Sequence, residues 1–343
     1  YVIAGGYMAT AINDFIQGII MLFGIVAVIA AVIHSKGGFM SALQGLANVS
    51  DPAVSDTPGI FASFFGPDPF NLLCVVILTS LGTWGLPQMV QKFYAFDNEA
   101  SIQKGTVIST IFALIVSGGC YFLGGFGRLF SDQIDVKANG FDSIIPTMLS
   151  NLSPALIALV VILVLSASMS TLSSLVIASS STLTIDFLKD NFIKNMSDKK
   201  QVLYIRILVV VFIAISAILA LIQYKSSVTF IAQLMGISWG ALAGSFLAPF
   251  MFSLYSKKVS KASCWACFLF SSVLMLANIF FRAGFPAWLQ SPINCGAFAM
   301  FAGMIIVPVV SLFTPKPDKE LVDSAFACYE KETEVPQKTA LGK

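Results

Sequence analysis

The run Leu165-Ser-Ala-Ser-Met-Ser-Thr-Leu-Ser-Ser174 continues through Ser179, Ser180, Ser181 and Thr182 to Thr184, and carries no charge before Asp186. It follows Ala155-Leu-Ile-Ala-Leu-Val-Val-Ile-Leu-Val164, so a strongly apolar helix turns abruptly rich in side-chain oxygens. Helical spacing puts Ser166, Ser170 and Ser173 on one face, at i, i+4 and i+7, with Thr171 and Ser174 on the adjacent stripe. Oxygens gathered this way inside an apolar segment suit a hard, weakly charged cation, and sodium is the first candidate. The other reading is that small hydroxyl residues let two helices approach closely and hydrogen-bond across the contact. Spacing alone leaves both open and leans toward packing.

Two further places set polar groups among apolar ones. Asp14, in Thr10-Ala-Ile-Asn-Asp-Phe-Ile-Gln-Gly18, is a carboxylate at or near the inner end of an apolar helix, with Gln17 about one turn on. A carboxylate there is costly unless it meets a cation, a donor or water, although an interfacial Asp near a helix N-terminus is also favoured by the dipole. The stretch Leu78-Thr-Ser-Leu-Gly-Thr-Trp-Gly-Leu-Pro-Gln-Met-Val90 packs Gly82, Gly85 and Pro87 into a short interval. Such an interruption is tolerated at depth only where it is buried in protein or lines a cavity, and broken helices near the midplane are how many secondary transporters build a solute site. A simple proline kink is the alternative. Trp84 and Gln88 flank the break as a stacking face and a hydrogen-bonding group. The six cysteines are scattered, and Cys264-Trp-Ala-Cys267 has no His or second CxxC nearby to complete a metal or redox set. The single histidine, His34, ends a helix beside Ser35 and Lys36.

The elements that must position these groups are membrane helices. Apolar residues make up 57% of the chain and charged ones only 11%, against roughly 25% charged in soluble domains. The net charge of +2 says nothing about nucleic acid; the charges sit in the connections and form no basic stripe, and no nucleic-acid partner is expected. Eight spans are expected, at roughly 8–34, 70–94, 105–127, 154–187, 202–223, 228–255, 263–281 and 294–314. One set of connections carries Lys92, Lys104, Lys189, Lys194, Lys199, Lys200, Lys257, Lys258 and Lys261, with Arg206 close by. The opposite set holds Lys36, Arg128, Lys137, Lys225 and Arg282. The bias places the first set, and the lysine-bearing tail after Phe313, in the cytoplasm. The outer connection 128–153 includes Phe141-Asp-Ser-Ile-Ile-Pro-Thr-Met-Leu149. That run could be an interfacial helix gating a vestibule, but an ordinary loop is the favoured reading. Gly236, Gly240 and Gly244 give the sixth span a flat face for close helix packing, with a moving gate as the alternative. The expected organisation is a transmembrane domain over 1–314 and a polar, partly disordered tail over 315–343. With no initiator Met and no leader, the chain reads as a fragment whose upstream helices lie outside it.

Three segments together resemble the sodium/solute symporter family, most closely its sodium/proline branch. They are Gly5-Gly-Tyr-Met-Ala-Thr-Ala-Ile-Asn-Asp-Phe-Ile-Gln-Gly18, Gly85-Leu-Pro-Gln-Met-Val-Gln-Lys-Phe-Tyr-Ala95, and Ala167-Ser-Met-Ser-Thr-Leu-Ser-Ser174 running on to Asp186. Their order and spacing are similar across nearly the whole chain. The resemblance implies an all-α polytopic membrane protein with the LeuT-like inverted-repeat fold. This fragment of about eight transmembrane helices would hold the end of the first repeat, the whole second repeat and two peripheral helices. It also implies a multi-pass protein of the plasma membrane, the inner membrane of a bacterium, with sodium as coupling ion and a small organic solute, an amino acid such as proline, as cargo. Pantothenate or another carboxylate is the alternative cargo. The missing N-terminal helices of the same chain would supply the other half of each site.

Carried over by position, the resemblance has Ala167 giving a backbone carbonyl to sodium while Ser170 and Thr171 give hydroxyls. Some family members hold a second sodium between the aspartate of the first motif and further serines, and here Asp14, Ser170, Ser173 and Ser174 match that set. The solute would lie against Thr83, Trp84, Pro87 and Gln88. Asn13 stands where the family usually has Thr. Thr83 replaces an aromatic of the proline branch, with Trp84 in the following aromatic position, and Leu86 replaces a Gln. These departures touch the solute pocket and leave a cargo other than proline open. Three other classes weigh less. A sensor module would want a fused signalling segment, a membrane enzyme would want His or paired carboxylates at depth, and a channel would not need a localised hydroxyl cluster.

Overall fold

The computed structural model describes residues 2–90, 93, 98–134, 140–150, 152–226 and 231–330. Lys92, Lys137, the end of the second family-like segment at Tyr94 and Ala95, and the tail beyond Glu330 lie outside them. The described residues form helices: α1 (Val2–Ser35), α2 (Phe39–Ala47), α3 (Pro69–Ser80), α4 (Pro87–Val90), α5 (Glu99–Gly125), α6 (Ile144–Ser150), α7 (Pro154–Thr182), α8 (Asp198–Ser226), α9 (Ile231–Tyr255), α10 (Lys261–Phe280), α11 (Ala287–Gln290), α12 (Pro292–Phe313) and α13 (Lys319–Phe326). Among them, seven stretches are long and apolar enough to cross a membrane: Met8–Ser35, Glu99–Gln133, Pro154–Lys189, Asp198–Tyr224, Ile231–Tyr255, Lys261–Phe280 and Pro292–Phe313. The span expected at 70–94 is not one continuous helix. It is the 12-residue α3, a 3-10 turn over Gly82–Gly85 and the short α4. At 1.5 Å per residue α3 covers about 18 Å, short of the ~30 Å hydrocarbon core.

The chain divides into two compact units, one of the residues up to Leu72 with Pro87–Ala232, the other of Leu73–Leu86 with the chain from Gln233 onward. In the first unit α1 lies beside both α5 and α7. Gly18 faces the Phe112 ring and Gly119 faces Ile25 and Ile29, so α1 and α5 run in the same direction. The C-terminal half of α1, through Ile25, Val28 and Val32, shares a core with Val160 and Leu163 near the start of α7, so α1 and α7 are antiparallel. Gly24 faces Leu163 closely: a Cβ there would stand 2.7 Å from Leu163 Cδ1.

The connections expected on the outer side are more structured than loops. Over 36–66 the chain forms α2 and a 3-10 turn at Ile60–Ala62. Lys36 Nζ donates to the Leu129 carbonyl (2.9 Å) and lies over the Phe130 ring, while Arg128 pairs with Asp51 and covers the Phe61 ring. The segment favoured as a loop at 141–149 contains α6, whose Met148 and Leu149 are buried in the core formed by α1 and the first turns of α7. Seven residues are too few to hold a helix alone, and that burial supplies what propensity does not.

In the second unit the glycine face of α9 allows close packing. A Cβ on Gly240 would meet Gly296 Cα at 2.6 Å, and one on Gly236 would meet the Ile293 backbone N at 2.9 Å. Cys267 Sγ donates to the Gly244 carbonyl (3.2 Å) and Ser271 Oγ to that of Gly240 (3.3 Å). The same face receives the break after α3. Gly82 lies against Ala243 and Met300, and a Cβ on Gly85 would stand 2.9 Å from the Leu247 backbone N. The packing role read for the three glycines is therefore present. On the lysine-rich side Asp318 caps α13 by accepting from Glu320 N–H, and Lys257 Nζ binds Asp323 at 2.9 Å and lies over the Phe326 ring.

Two outcomes follow from these contacts. Gly240→Ala is expected to cost about 1–3 kcal/mol by overpacking a backbone contact, whereas Gly118→Ala, with nothing within 4 Å of the new methyl, should be neutral or stabilise by up to about 1 kcal/mol; thermal unfolding in detergent should separate the two. Lys257, first by its hydrogen bond and then by its charge, holds the Asp323 carboxyl below its ordinary value of 3.8. The contribution of that pair is thus fully present above 3.8 and is lost as pH falls through the lowered value. Proteolysis within α13 should be slow at neutral pH, quicken only in acid below that ordinary value, and be quick at neutral pH in Asp323→Asn.

Candidate functional site

The hydroxyl-rich half of α7 is where most candidate residues meet. Read in threes and fours, one face of this helix carries Leu159, Leu163, Ser166, Ser170, Ser173, Ile177, Ser180 and Thr184. Ser166, Ser173, Ser180 and Thr184 are buried and Ser170 is half-buried. The apolar first part of this face packs on α1 through Leu163, and the polar part begins one turn later. Burial therefore follows the face assigned from spacing.

α1 has the matching asymmetry. Its inward residues at one end are Gly24, Ile25, Val28 and Val32, and at the other Thr10, Asn13, Asp14 and Gln17, at i, i+3, i+4 and i+7. Thr10 and Gln17 are fully buried, at 4% and 5% exposure. With the helices antiparallel and Gly24 opposite Leu163, ten residues along each axis, about 15 Å, bring Asp14 level with Ser173. The same count brings Gln17 level with Ser170 and Asn13 level with Ser174. The four members of the expected second sodium set, Asp14, Ser170, Ser173 and Ser174, thus fall within one turn of the same depth. Asn13 Nδ2 and Gln17 Oε1 are buried with no hydrogen-bond partner among the described residues.

The primary sodium set is divided between faces. Ser170 lies on the face turned to α1, while Ala167 and exposed Thr171 line an open concavity of about 430 Å³ with Ser168, Leu172 and Leu175. Backbone carbonyls in an unbroken helix are already hydrogen-bonded one turn on, so the Ala167 oxygen could act only as a shared, second-lone-pair ligand. Ser173 donates to the Met169 carbonyl at 2.6 Å.

The residues expected from the resemblance to meet the solute lie at the break, Thr83 and Trp84 in the second unit and Pro87 and Gln88 in the first. Thr83 Oγ1 donates to the Ser80 carbonyl (2.7 Å), and the Trp84 N–H reaches the Leu81 carbonyl (3.1 Å), so the turn satisfies its own backbone. The Trp84 ring is 58% exposed while Leu86 beside it is fully buried. That orients the indole as a free stacking surface and uses Leu86 as the anchor. Pro87 and Gln88 open α4, which packs on α7. Pro87 at the first helical position costs no hydrogen bond, since that N–H would have no partner in any case.

Spacing did not single out Ser180 and Thr184, although both continue the same face. Each is 0% exposed, and neither hydroxyl has a hydrogen-bond partner among the described residues. A buried hydroxyl left so costs about 1–3 kcal/mol. The signal was legible in the 3-4 alternation through Ile177. After Thr182 the helix opens into a π turn, Leu183–Lys189, a distortion often found at functional sites.

Residues 1–269 match the sodium:solute symporter family. Among individual relatives, the chain is 26% identical to the sodium/pantothenate symporter of Haemophilus influenzae, over 76% of this chain and 52% of that protein. It is 25% identical to the high-affinity proline transporter PutP of Bacillus subtilis, over 94% and 65%, and 26% identical to the sodium/proline symporter of Haemophilus influenzae, over 94% and 63%. The chain thus spans between half and two thirds of the length of these relatives. Because the family match covers most of its residues, the chain belongs to the sodium:solute symporter family.

Proposed function

We propose that the protein couples inward movement of sodium to uptake of a small organic solute by alternating access. Its family is one of transporters and its relatives are bacterial, so it is a multi-pass transport protein of a bacterial plasma membrane rather than an enzyme. The observation that carries the coupling is the buried hydroxyl face of α7, level with Asp14 and Gln17 on α1. Ala167, Ser170 and Thr171 are proposed to hold one sodium, and Asp14 with Ser173 and Ser174 a second. A sodium ion falling through the membrane potential supplies ~2.3 kcal/mol per 100 mV, roughly a fifty-fold accumulation per ion. Coupling requires that ion and solute favour the same conformer, since each shifts the equilibrium only by its differential affinity.

The relatives named for proline and for pantothenate have one chemical feature of their solutes in common, a carboxylate. A small carboxylate is accordingly the proposed cargo, an amino acid such as proline first. Trp84 is proposed to stack on its apolar part, with Thr83, Pro87 and Gln88 beside it. The inverted-repeat arrangement known as the LeuT-like fold is part of the same proposal.

The test is uptake of labelled proline and pantothenate, with a panel of amino acids and small carboxylates, by the whole protein in vesicles with and without an inward sodium gradient. Gradient-driven proline uptake supports the proline branch; gradient-driven uptake of pantothenate alone keeps the mechanism and replaces the cargo; no gradient-driven uptake overturns the proposal. Ser170→Ala with Thr171→Ala should raise the half-saturating sodium concentration about tenfold or more, the scale of a lost contact to a charge. Asp14→Asn should change the Hill coefficient for sodium and the reversal potential, and if both stay at wild-type values the second sodium is lost from the mechanism.

A further inference from the structure

A hydroxyl buried in a membrane helix ordinarily donates to a carbonyl three or four residues back. On α7 and the turn that follows, Ser173 does so to Met169 (2.6 Å) and Ser181 to Ala178 (3.0 Å). Ser180 and Thr184 do not, although both are completely buried. They lie one turn apart, about 6 Å along the axis, on the face that carries Ser170 and Ser173. Ser180 is about 10 Å beyond Ser173, toward the end of the helix that leads to Lys189 and Lys194. The π turn begins between them, at Leu183. The first charge in the run, Asp186, is exposed, and the carbonyls of Asp186 and Phe187 are engaged by the Asn191 side chain. What remains at Ser180 and Thr184 is a pair of buried neutral oxygens with open coordination, while the charges of the same turn are exposed Asp186 and partly exposed Lys189.

We propose that Ser180 and Thr184 form a further oxygen site for the coupling cation, which it occupies in transit between the Ser170–Ser173 level and the lysine-rich side of the membrane. The proposal rests on the sodium-symport reading. Two neutral hydroxyls take a partly hydrated monovalent cation but cannot hold it tightly, and a step on a path must bind well enough to admit the ion and weakly enough to release it. The site therefore sets the rate of sodium exchange with the inner compartment and not the affinity for sodium offered from outside. Ile177, between Ser173 and Ser180 on the same face, separates the two levels with an apolar side chain.

The experiment uses the whole protein in liposomes and compares wild type with S180A, T184V, the double variant and T184S. Labelled sodium exchange in the absence of solute is measured beside sodium-driven uptake of the transported carboxylate. Replacing an unpartnered hydroxyl by a group of similar shape should leave thermal stability unchanged or slightly higher. The double variant should exchange sodium about tenfold more slowly, the scale of one lost contact to a charge. Its half-saturating external sodium should stay within about twofold of wild type, and T184S should restore the rate lost in T184V. Exchange at the wild-type rate in the double variant overturns the proposal. So does a slowed exchange accompanied by an external sodium affinity weakened well beyond twofold, which would make the pair part of a resident site. If the double variant is not recovered folded, T184V against T184S decides by the same criterion. Absent solute uptake in wild type would count against symport, while the exchange measurement would still report on Ser180 and Thr184.

Discussion

Within a bilayer every backbone N–H and C=O must find its partner inside the protein, and this requirement governs both the fold and the candidate site. It explains why the described residues are helices joined by short turns, and why the interruption after α3 is packed rather than free. Gly82 and Gly85 bring that turn against the small-residue face of α9, Leu86 is driven fully inside, and the turn closes its own hydrogen bonds through Thr83, Trp84 and Leu86. An exposed indole beside a buried leucine results from that packing. The hydroxyl face of α7 shows the complement of that rule: its backbone is closed within the helix, and the Ser180 and Thr184 hydroxyls are buried with no hydrogen-bond partner among the described residues.

Much of this was legible in the residues. The spacing of Ser166, Ser170 and Ser173 identified a face because helical periodicity is local, and burial follows that face. Gly82, Gly85 and Pro87 announced a break because their backbone restrictions are local too. The family resemblance read from three segments was met by a match over residues 1–269, although the relatives divide between proline and pantothenate. What the sequence did not disclose is tertiary. That Asp14 stands level with Ser173 depends on the antiparallel register set where Gly24 meets Leu163. That Phe141–Leu149 contains a docked helix depends on Met148 and Leu149 finding a core made by distant segments. The break within 70–94 was legible, but that its turn packs against Ala243 and Leu247 of α9 was not.

The two candidate ion levels differ in kind. The level of Asp14 and Ser173 includes a carboxylate and amides, and so can hold a cation against its hydration. The level of Ser180 and Thr184 has hydroxyls alone. On the proposed reading the ion would pass from the stronger to the weaker level along one helix face, its direction set by the membrane potential and the sodium gradient.

The π turn at Leu183–Lys189 has a consequence for comparing this chain with others. One additional residue per turn offsets the helical phase by about 100°, so a count in threes and fours that works up to Thr184 fails beyond it. It would place Phe187 inward, yet Phe187 is half exposed and Leu188 takes the partly buried position. Residues on the two sides of the turn therefore belong to different phase frames. An alignment that carries a single frame through the segment will assign Asp186 and its neighbours to the wrong side of the helix, and a relative with one residue fewer there should present a different set of side chains to the inner mouth.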